Sequence, residues 1–350
     1  LAANTTVSGM TAVGYNAFAA NTTGTHGTAV GLNALSANTT GIRNTAVGNG
    51  ALDVNTTGER NTAVGQDTLG ACTTGSRNTA VGQAALDAVT TQADNVAIGY
   101  AALSANTASY NTAVGKFALL SNTTGTENNA FGVNALDSNT TGGENCSFGN
   151  GSLAANTTGS NNCGFGDDAL SLNVSGSNNT AFGEKCLQYQ TASNNTGVGQ
   201  FCGAAVSSGE NNTLIGAQAA DALTGGSNNT IIGYQAGTHD VNLTTGGNNV
   251  VVGQYSDVSA SDVSNEVVVG NNMTGKGADT GFFGGTNGAY NEANSANWST
   301  TSDERIKKNI SDNSTGLSKL NQIQVRSFEY RTPEEVTELP KHAAVDTEGV

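Results

Sequence analysis

Basic residues recur at one place in a repeated pattern of the chain, and they are the first groups whose spacing suggests chemistry. His26, Arg43, Arg60 and Arg77 hold the same position in four successive copies of this pattern, each five residues before a glycine. Three stacked arginines could bind an anionic glycan through bidentate hydrogen bonds, which would make Arg43, Arg60 and Arg77 a receptor-contact strip. We favour the alternative that these arginines pair with Glu59, Asp53 or neighbouring chains.

Cysteine and histidine are the residues that could hold a metal or form disulfides. Each cysteine stands in a column of the repeat that small or turn residues otherwise fill; the five are Cys72, Cys146, Cys163, Cys186 and Cys202. The chain has no C-x-x-C motif, and its three histidines are scattered. We therefore interpret the cysteines as small buried residues that stack, and we expect no metal and no cofactor.

Acidic and threonine residues are numerous, but their positions do not predict a site. A calcium-binding nonapeptide β-roll needs Asp at fixed repeat positions, whereas Asp here drifts between columns. A polysaccharide-degrading enzyme needs paired carboxylates in a cleft, and no acidic pair interrupts the columns. An ice-binding solenoid needs aligned Thr-x-Thr, whereas the Thr pairs here are adjacent at turns. We keep ice binding as the least favoured alternative to a structural and attachment fibre.

A repeat positions all of these residues. Sixteen glycines close TAVG-like tetrapeptides at every seventeenth position, apart from two intervals of 16 and one of 20. They are Gly14, Gly31, Gly48, Gly65, Gly82, Gly99, Gly115, Gly132, Gly149, Gly166, Gly183, Gly199, Gly216, Gly233, Gly253 and Gly270. An apolar residue precedes each glycine, and a Phe or Leu follows four positions after each of the first eleven. We expect both apolar positions to point inward as anchors.

The repeat is too short for a pair of helices, and its short β-branched runs bounded by Asn and Gly are typical of strands. The N-T-T-G segments have turn composition, since Gly and Asn tolerate positive φ. Proline is absent from residues 1–300, as continuous strand ladders require. The sequence predicts an all-β fold, a β-solenoid or β-roll of about sixteen 17-residue coils. At one strand spacing per coil, the rod would be about 75 Å long.

Asn stands four residues before the closing glycine in thirteen of the sixteen copies. Stacked coils would bring these amides to about 4.8 Å from one another, where each can donate to the next. We predict a structural ladder that includes Asn44, Asn61, Asn78 and Asn95. For the N-T-T triplets we favour a turn role over glycosylation, because repetition at fixed turn positions already has a structural cause.

The composition fits a regular structure that needs little core per residue. Glycine makes up 47 of 350 residues, and only 5% are aromatic and 12% charged. The chain is too polar for one conventional core and too poorly charged for a typical disordered chain. A net charge of −15 argues against nucleic acid as a partner, and no apolar stretch is long enough for membrane insertion.

One coil buries little apolar area, and neighbouring coils cover only its two ends. Three chains packed around an axis would cover the side faces, so we predict a homotrimer. The chain opens in the middle of a repeat at Leu1, and we expect it to be a fragment. We assign residues 1–271 to the shaft, with changed packing near residue 195, and residues 272–300 to a cap or neck. Residues 301–350 form a separate domain.

The last fifty residues differ in composition, with 7 of the 13 basic residues and both prolines. The string TSDERIKKNI at 301–310 is followed by a helix-like pattern and by Phe328-Glu329-Tyr330. This segment resembles the start of the endosialidase-type intramolecular chaperone domain of bacteriophage tail fibres and tailspikes. The resemblance implies a small α+β domain, truncated here at Val350, that helps three chains assemble into a fibre and then cuts itself off.

The repeats separately resemble the NTAVG-rich shafts of phage tail fibres and, less closely, the β-roll heads of trimeric autotransporter adhesins. The resemblance implies a structural fibre of the virion tail that mediates host attachment. A host cell-surface glycan or protein receptor and other tail proteins would be its partners. A bacterial cell-surface trimeric adhesin remains the alternative.

The chemistry of the chaperone family maps onto Ser302 as nucleophile and Lys307 as its base. A serine hydroxyl needs an adjacent base, and a lysine can serve when burial or neighbouring cations lower its pKa. Arg305 and Lys308 are close enough in sequence to contribute. The alternative is that Ser302 caps a helix. We expect self-cleavage at or beside Ser302 in the intact protein, and none in the chain as given.

Overall fold

The computed structural model describes residues 8–284, 289–291 and 298–300. The chain divides into two units, Leu1–Thr301 and Ser302–Val350, and the described residues all lie in the first. Within the described ranges the chain forms strands and turns but no α-helix, and thus no helix that could cross a membrane. The prediction of an all-β solenoid of about sixteen coils is confirmed.

In the described part of the chain, nineteen strands of three residues each form a single sheet. They are β1 (Thr11–Val13), β2 (Thr28–Val30), β3 (Thr45–Val47), β4 (Thr62–Val64), β5 (Thr79–Val81), β6 (Val96–Ile98), β7 (Thr112–Val114), β8 (Asn129–Phe131), β9 (Cys146–Phe148), β10 (Cys163–Phe165), β11 (Thr180–Phe182), β12 (Thr196–Val198), β13 (Thr213–Ile215), β14 (Thr230–Ile232), β15 (Val250–Val252), β16 (Val267–Val269), β17 (Gly281–Phe283), β18 (Ala289–Asn291) and β19 (Trp298–Thr300). Strands β1 to β17 pair in chain order, parallel and in register, so that equivalent residues of successive coils stack. Strands β18 and β19 add to the sheet in antiparallel orientation.

The strands decide which apolar column faces the interior. Successive side chains of a strand point to opposite faces, so the first and third residues share one face and the second lies on the other. In β2 to β16 the middle residue is buried and the two outer ones are not. The expectation that the residue before each glycine is an inward anchor is therefore wrong. The inward residue is the small one between, such as Ala29 or Ala113.

The second expected anchor does point inward, and it completes the core. Phe18 and the Leu column that follows it are almost completely inaccessible to solvent, opposite the small residues of the strands. These leucines have positive φ, for example 53° at Leu103 and 52° at Leu119. Left-handed backbone costs an L-residue about 1–2 kcal/mol, so burial of each Leu must offset local strain. Each coil thus turns a corner at the residue that fills its core.

The closing glycines are required by the approach of successive coils. Gly31 has a φ of 139°, and a side chain there would collide with the backbone carbonyl of Gly48. The same close approach of backbone to backbone repeats between Gly48 and Gly65. An L-residue would have to adopt a disfavoured φ and also displace the next coil. This explains why glycine holds the position in all sixteen copies.

The core changes its distribution of bulk in the distal coils. Gly203 and Gly237 stand where earlier coils have Leu, while Leu214 and Ile231 fill the strand position that Ala held before. A side chain at Gly203 would collide with Leu214 Cδ1, so the loss of one side chain makes room for the other. The volume of the interior is preserved, because the large side chain now comes from the strand and not from the column opposite it, as close packing requires. Beyond β16, Met273 and Phe282 are buried against the last coil.

Candidate functional site

The predicted asparagine column lies in the interior, where it links successive coils. Asn44, Asn61, Asn78 and Asn95 are buried. The backbone N–H of Asn61 donates to Asn44 Oδ1 over 2.9 Å, and Asn78 does the same to Asn61. Asn61 Nδ2 donates instead to the carbonyl of Gly75 in the next turn. Between Asn95 and Asn78 the side chains are bonded directly as well, over 3.2 Å.

A second buried column of asparagines was not foreseen. It consists of the first residue of the N-T-T-G segments, which sequence reasoning treated only as turns. Asn38 Nδ2 donates to Asn21 Oδ1 over 2.8 Å and to the carbonyl of Gly41 over 3.1 Å. Because these side chains are buried, the folded chain offers none of them as a glycosylation acceptor. The sequence could have indicated this column, because its asparagines recur at the same interval as those of the first column.

The second column is broken at Cys72 and Val89 and ends at Gln190, and three buried oxygens beside these positions have no hydrogen-bond partner: Asn55 Oδ1, Asn173 Oδ1 and Gln190 Oε1. Asn55 Oδ1 has no hydrogen bond because the next coil carries Cys72. Asn173 Oδ1 has none because Gln190 donates elsewhere, to the carbonyl of Gly209. A buried unsatisfied oxygen costs about 1–3 kcal/mol. The positions of Asn55 and Asn173 are therefore the weak points of the ladder.

The column of basic residues is exposed, and its members differ. Arg77 forms a bidentate ion pair with Asp94 in the next coil. Its Nε donates to Oδ1 over 2.6 Å, and its Nη2 donates to Oδ2 over 2.8 Å. This pairing lowers the pKa of the Asp94 carboxyl and raises that of Arg77. The expected partners Glu59 and Asp53 were thus the wrong ones for Arg77. Among the described residues, Arg43 and Arg60 form no ion pair.

The residues that precede the closing glycines form a continuous row on the outer face of the strands, which we call the apolar stripe. It comprises Val13, Val30, Val47, Val64, Val81, Ile98, Val114, Phe131, Phe148, Phe165, Phe182, Val198, Ile215, Ile232, Val252 and Val269. All are half-buried or exposed. In β8 to β11 the four phenyl rings stack at centroid distances of 4.4, 4.6 and 4.7 Å, nearly parallel. The stripe is an uninterrupted apolar surface along the solenoid.

The apolar stripe differs from the neighbouring columns in being uniform and uncharged. No residue of β1 to β16 carries a charge. The column that follows the glycines mixes Tyr100, Lys116, Val133 and Asp167. Contiguous apolar surface of this length on a soluble domain marks an interaction site. We therefore take the outer face of the strands as the candidate functional surface.

The cysteines divide between the interior of the solenoid and the outer face of the strands. Cys186 and Cys202 are buried and Cys72 lies in the second asparagine column, whereas Cys146 and Cys163 are half-buried on the outer face. The expectation that the stacked cysteines are buried is wrong for this last pair, because the first residue of each strand points outward. All five thiols are free. Burial raises the pKa of Cys72 to about 11.

One cluster of potential metal ligands occurs among the described residues, at the coil with the 20-residue interval. Ligand atoms of His239, Asp240 and Asp257 lie within 4.8 Å of one another. Asp257 is buried, and its two oxygens accept the backbone N–H groups of His239 and Asp240 over 3.0 and 2.7 Å. The Asp257 carboxylate therefore already serves to hold the three inserted residues.

Several aspartates are held against the solenoid surface where water is partly excluded. Burial raises the pKa of Asp53, Asp87, Asp137 and Asp221 above the ordinary value of 3.8. Neighbouring carboxylates, Asp67 among them, raise the pKa of Asp53 and Asp87 further. These four groups lie on separate coils, so each affects the stability of its own coil.

The predicted nucleophile Ser302 and base Lys307 lie outside the described residues. The sequence itself supports the interpretation of this region, since residues 302–345 match the family model described as chaperone of endosialidase. No curated protein and no solved structure matches the chain. The protein thus joins a parallel β-solenoid to a segment similar to the chaperone of endosialidase.

Proposed function

We propose that this protein is the structural shaft of a trimeric fibre of the phage tail-fibre type, and that its C-terminal region is an intramolecular chaperone for assembly. The observation that carries the proposal is the combination in one chain of a regular parallel solenoid with a chaperone-of-endosialidase segment at residues 302–345. A rod held by backbone and amide ladders resists bending without a large core, which suits a fibre. The chaperone brings the chains together.

The molar mass of the protein tests this proposal. One chain has a mass of 35.0 kDa, so light scattering on the purified protein should give about 105 kDa for a closed three-fold assembly. A chain that ends after Thr301 should assemble less efficiently and give monomer or aggregate. A monomeric 350-residue protein at micromolar concentration contradicts the proposal.

We further propose that Ser302 and Lys307 carry out self-cleavage in a protein with the complete chaperone domain. Lys307 in its neutral form would take the Ser302 hydroxyl proton, and the oxygen would attack the adjacent peptide carbonyl. The peptide C–N bond would then break as Lys307 returns the proton to the leaving amine, and water would hydrolyse the resulting ester. Intact-mass spectrometry tests the step. Two fragments that meet at or beside Ser302 are expected, and Ser302→Ala should leave one uncut chain. A single uncut species in both proteins sinks the cleavage hypothesis.

Attachment of a virion to its host follows from the same proposal. The partners would be a host glycan or protein receptor and other tail proteins, and the place of the protein would be the virion tail. A glycan array and a panel of whole bacterial cells, both probed with the assembled protein, test attachment. We expect binding to a bacterial surface polysaccharide or to cells of one host. Failure to bind either would contradict a role in attachment.

A further inference from the structure

We propose that the apolar stripe is the surface through which three parallel copies of this chain contact one another. The inference deepens the proposed function, on which it rests, by naming the face that the copies share. The stripe runs through all sixteen coils, and stacking of the coils leaves it uncovered. Apolar residues repeated sixteen times on the outside of a single chain have no use there. They gain from burial only if another surface covers them.

The area of the stripe is sufficient for a stable contact. Val47, Ile98 and Phe182 leave 36%, 41% and 42% of their surface exposed, and most of the other members are half-buried. At roughly 50 Å² each, sixteen such residues offer on the order of 800 Å² per chain. A standard stable interface buries about 800 Å² per partner. Each chain of a trimer divides this area between two neighbours, about 400 Å² toward each, so the three stripes together bury about 2,400 Å² and the assembly is stable only when all three contacts form.

The chemistry of the stripe favours a second copy over other occupants. The chain carries a net charge of −15, which disfavours anionic lipid headgroups and nucleic acid. Strands β1 to β16 hold no charged residue, so copies that meet along this face bring no like charges together. The surface is self-complementary, because the same apolar residues line it at every level.

The shape of the stripe favours three copies in register. Each strand contributes to the outer face only its first and third residues, about 7 Å apart, so the face is narrow and long. Narrow faces from three chains can meet around one axis, each covering the other two. The phenylalanine segment in β8 to β11 is the only interruption of the Val and Ile pattern of the stripe. A shift by one coil would place Phe against Val, so this segment sets the register.

A pair of matched double variants of the 350-residue chain tests the inference. Ile98→Glu with Phe182→Glu places two charges on the stripe. The control, Val133→Glu with Leu172→Glu, places two charges at positions of the same exposure, 44% and 42%, outside the stripe. All four side chains are on the surface, so both proteins should fold, and far-UV circular dichroism with a cooperative thermal transition verifies this. Light scattering then gives the mass.

We expect about 105 kDa for the wild type and the control, and a threefold fall to one chain of 35.0 kDa for the stripe variant. A stripe variant that remains trimeric overturns the inference and leaves the proposed function intact. Loss of the trimer in the control to the same extent also overturns it, since the effect would not belong to the stripe. A monomeric wild type contradicts the proposed function itself.

Discussion

Asn139 Nδ2 donates to Asn122 Oδ1 over 2.8 Å, between two fully buried side chains of successive coils. The same Nδ2 also donates to the carbonyl of Gly142 over 3.0 Å. One amide thus closes its own turn and links its coil to the previous one. A buried amide costs free energy unless it is hydrogen-bonded. Removing one side chain from the ladder therefore destabilises the fold by more than the lost hydrogen bond, because the remaining partner is left unsatisfied.

Repair of one break should stabilise the solenoid. Gln190 begins a Q-T-A-S turn, and the same turn at Asn106 begins with Asn, whose Oδ1 accepts from Asn122 Nδ2 over 2.7 Å. Between two asparagines of this column the amide of the later one therefore donates to the oxygen of the earlier one. In Gln190→Asn the shorter amide can reach Asn173 Oδ1. We expect the free energy of unfolding to rise by about 1–2 kcal/mol. Urea unfolding followed by circular dichroism measures it.

The reciprocal change, Asn106→Gln, serves as the control for this prediction. It should remove the bond to Asn122 and lower the free energy of unfolding by a similar amount. If Gln190→Asn is neutral or destabilising while Asn106→Gln behaves as expected, the unpaired Asn173 oxygen is not a weak point.

The positive φ of the leucine column makes it sensitive to branching at Cβ. Leu103 is buried at φ 53°, and Leu103→Ile conserves its volume but introduces a β-branched residue into left-handed backbone. Volume-conserving swaps usually cost under about 1.5 kcal/mol, and a branched Cβ makes the left-handed backbone more strained than it already is for Leu. We expect a loss of about 2–3 kcal/mol in chemical denaturation.

Leu214 is the matched control, because it is equally buried but lies within strand β13. Leu214→Ile should cost less than about 1.5 kcal/mol, since β-branched residues fit strands well. Equal losses for the two variants would show that the backbone conformation at Leu103 contributes nothing.

Lowering the pH should increase the free energy of unfolding of the solenoid over a range of pH in which many proteins lose stability. Burial raises the pKa of four aspartates above 3.8 in the folded state: Asp53, Asp87, Asp137 and Asp221. As the pH falls, the folded state therefore binds protons at a higher pH than the unfolded state does. The resulting stabilisation is complete below 3.8 and is lost as the pH rises through the folded values. Asp94 has a lowered pKa and acts oppositely, but only below 3.8.

Urea midpoints measured between about pH 7 and pH 4 at constant salt test this prediction, and the midpoint should rise as the pH falls. Asp87→Asn removes one of the raised groups and should flatten the rise. A midpoint that falls steadily from pH 7 to pH 4 would refute the assignment of the raised pKa values.

The five thiols should react in two groups. Burial raises the pKa of Cys72 from 9.0 to about 11, which lowers its thiolate fraction near pH 8 by about 100-fold. Cys186 and Cys202 are buried as well, whereas Cys146 and Cys163 are half-exposed. A chromogenic disulfide reagent should titrate two thiols quickly in the native protein and all five in urea.

Cys72→Ser should remove one equivalent from the slow group and none from the fast group. A Cys72 thiol that reacts as fast as Cys146 would contradict its burial. The titration is made on the double variant Ile98→Glu with Phe182→Glu, because Cys146 and Cys163 lie on the outer face of strands β9 and β10, which other copies would cover in the proposed trimer.

The repeat was predictable because a fixed period, short β-branched runs and Asn-Gly turns all favour one coil for each copy of the pattern. The outward orientation of the apolar stripe was not predicted, because apolar residues were assumed to point inward. The alternation within a triplet such as Thr112–Val114 contains the correct answer, since the middle residue is small in β1 to β12, where a large Phe or Leu fills the core opposite it.

Other features depended on three-dimensional detail. Leu is rarely found at positive φ, so the corners at Leu103 and its equivalents could not be inferred from residue type. The N-T-T-G segments match a turn pattern, and this match alone does not indicate that their first residue also forms a buried column of hydrogen-bonded asparagines. The partner of Arg77 was sought among nearby acids, whereas in-register stacking places Asp94 beside it. Ser302 and Lys307 remain predictions from resemblance.

Electron cryo-microscopy of the assembled protein tests the central claim most directly. A cross-section at the level of Phe148 should show three solenoid coils around one axis, with the three Phe148 rings facing it. The levels of Phe131 and Phe165 should show the same arrangement above and below. A single coil in cross-section, or three coils whose phenyl rings face solvent, would contradict the account.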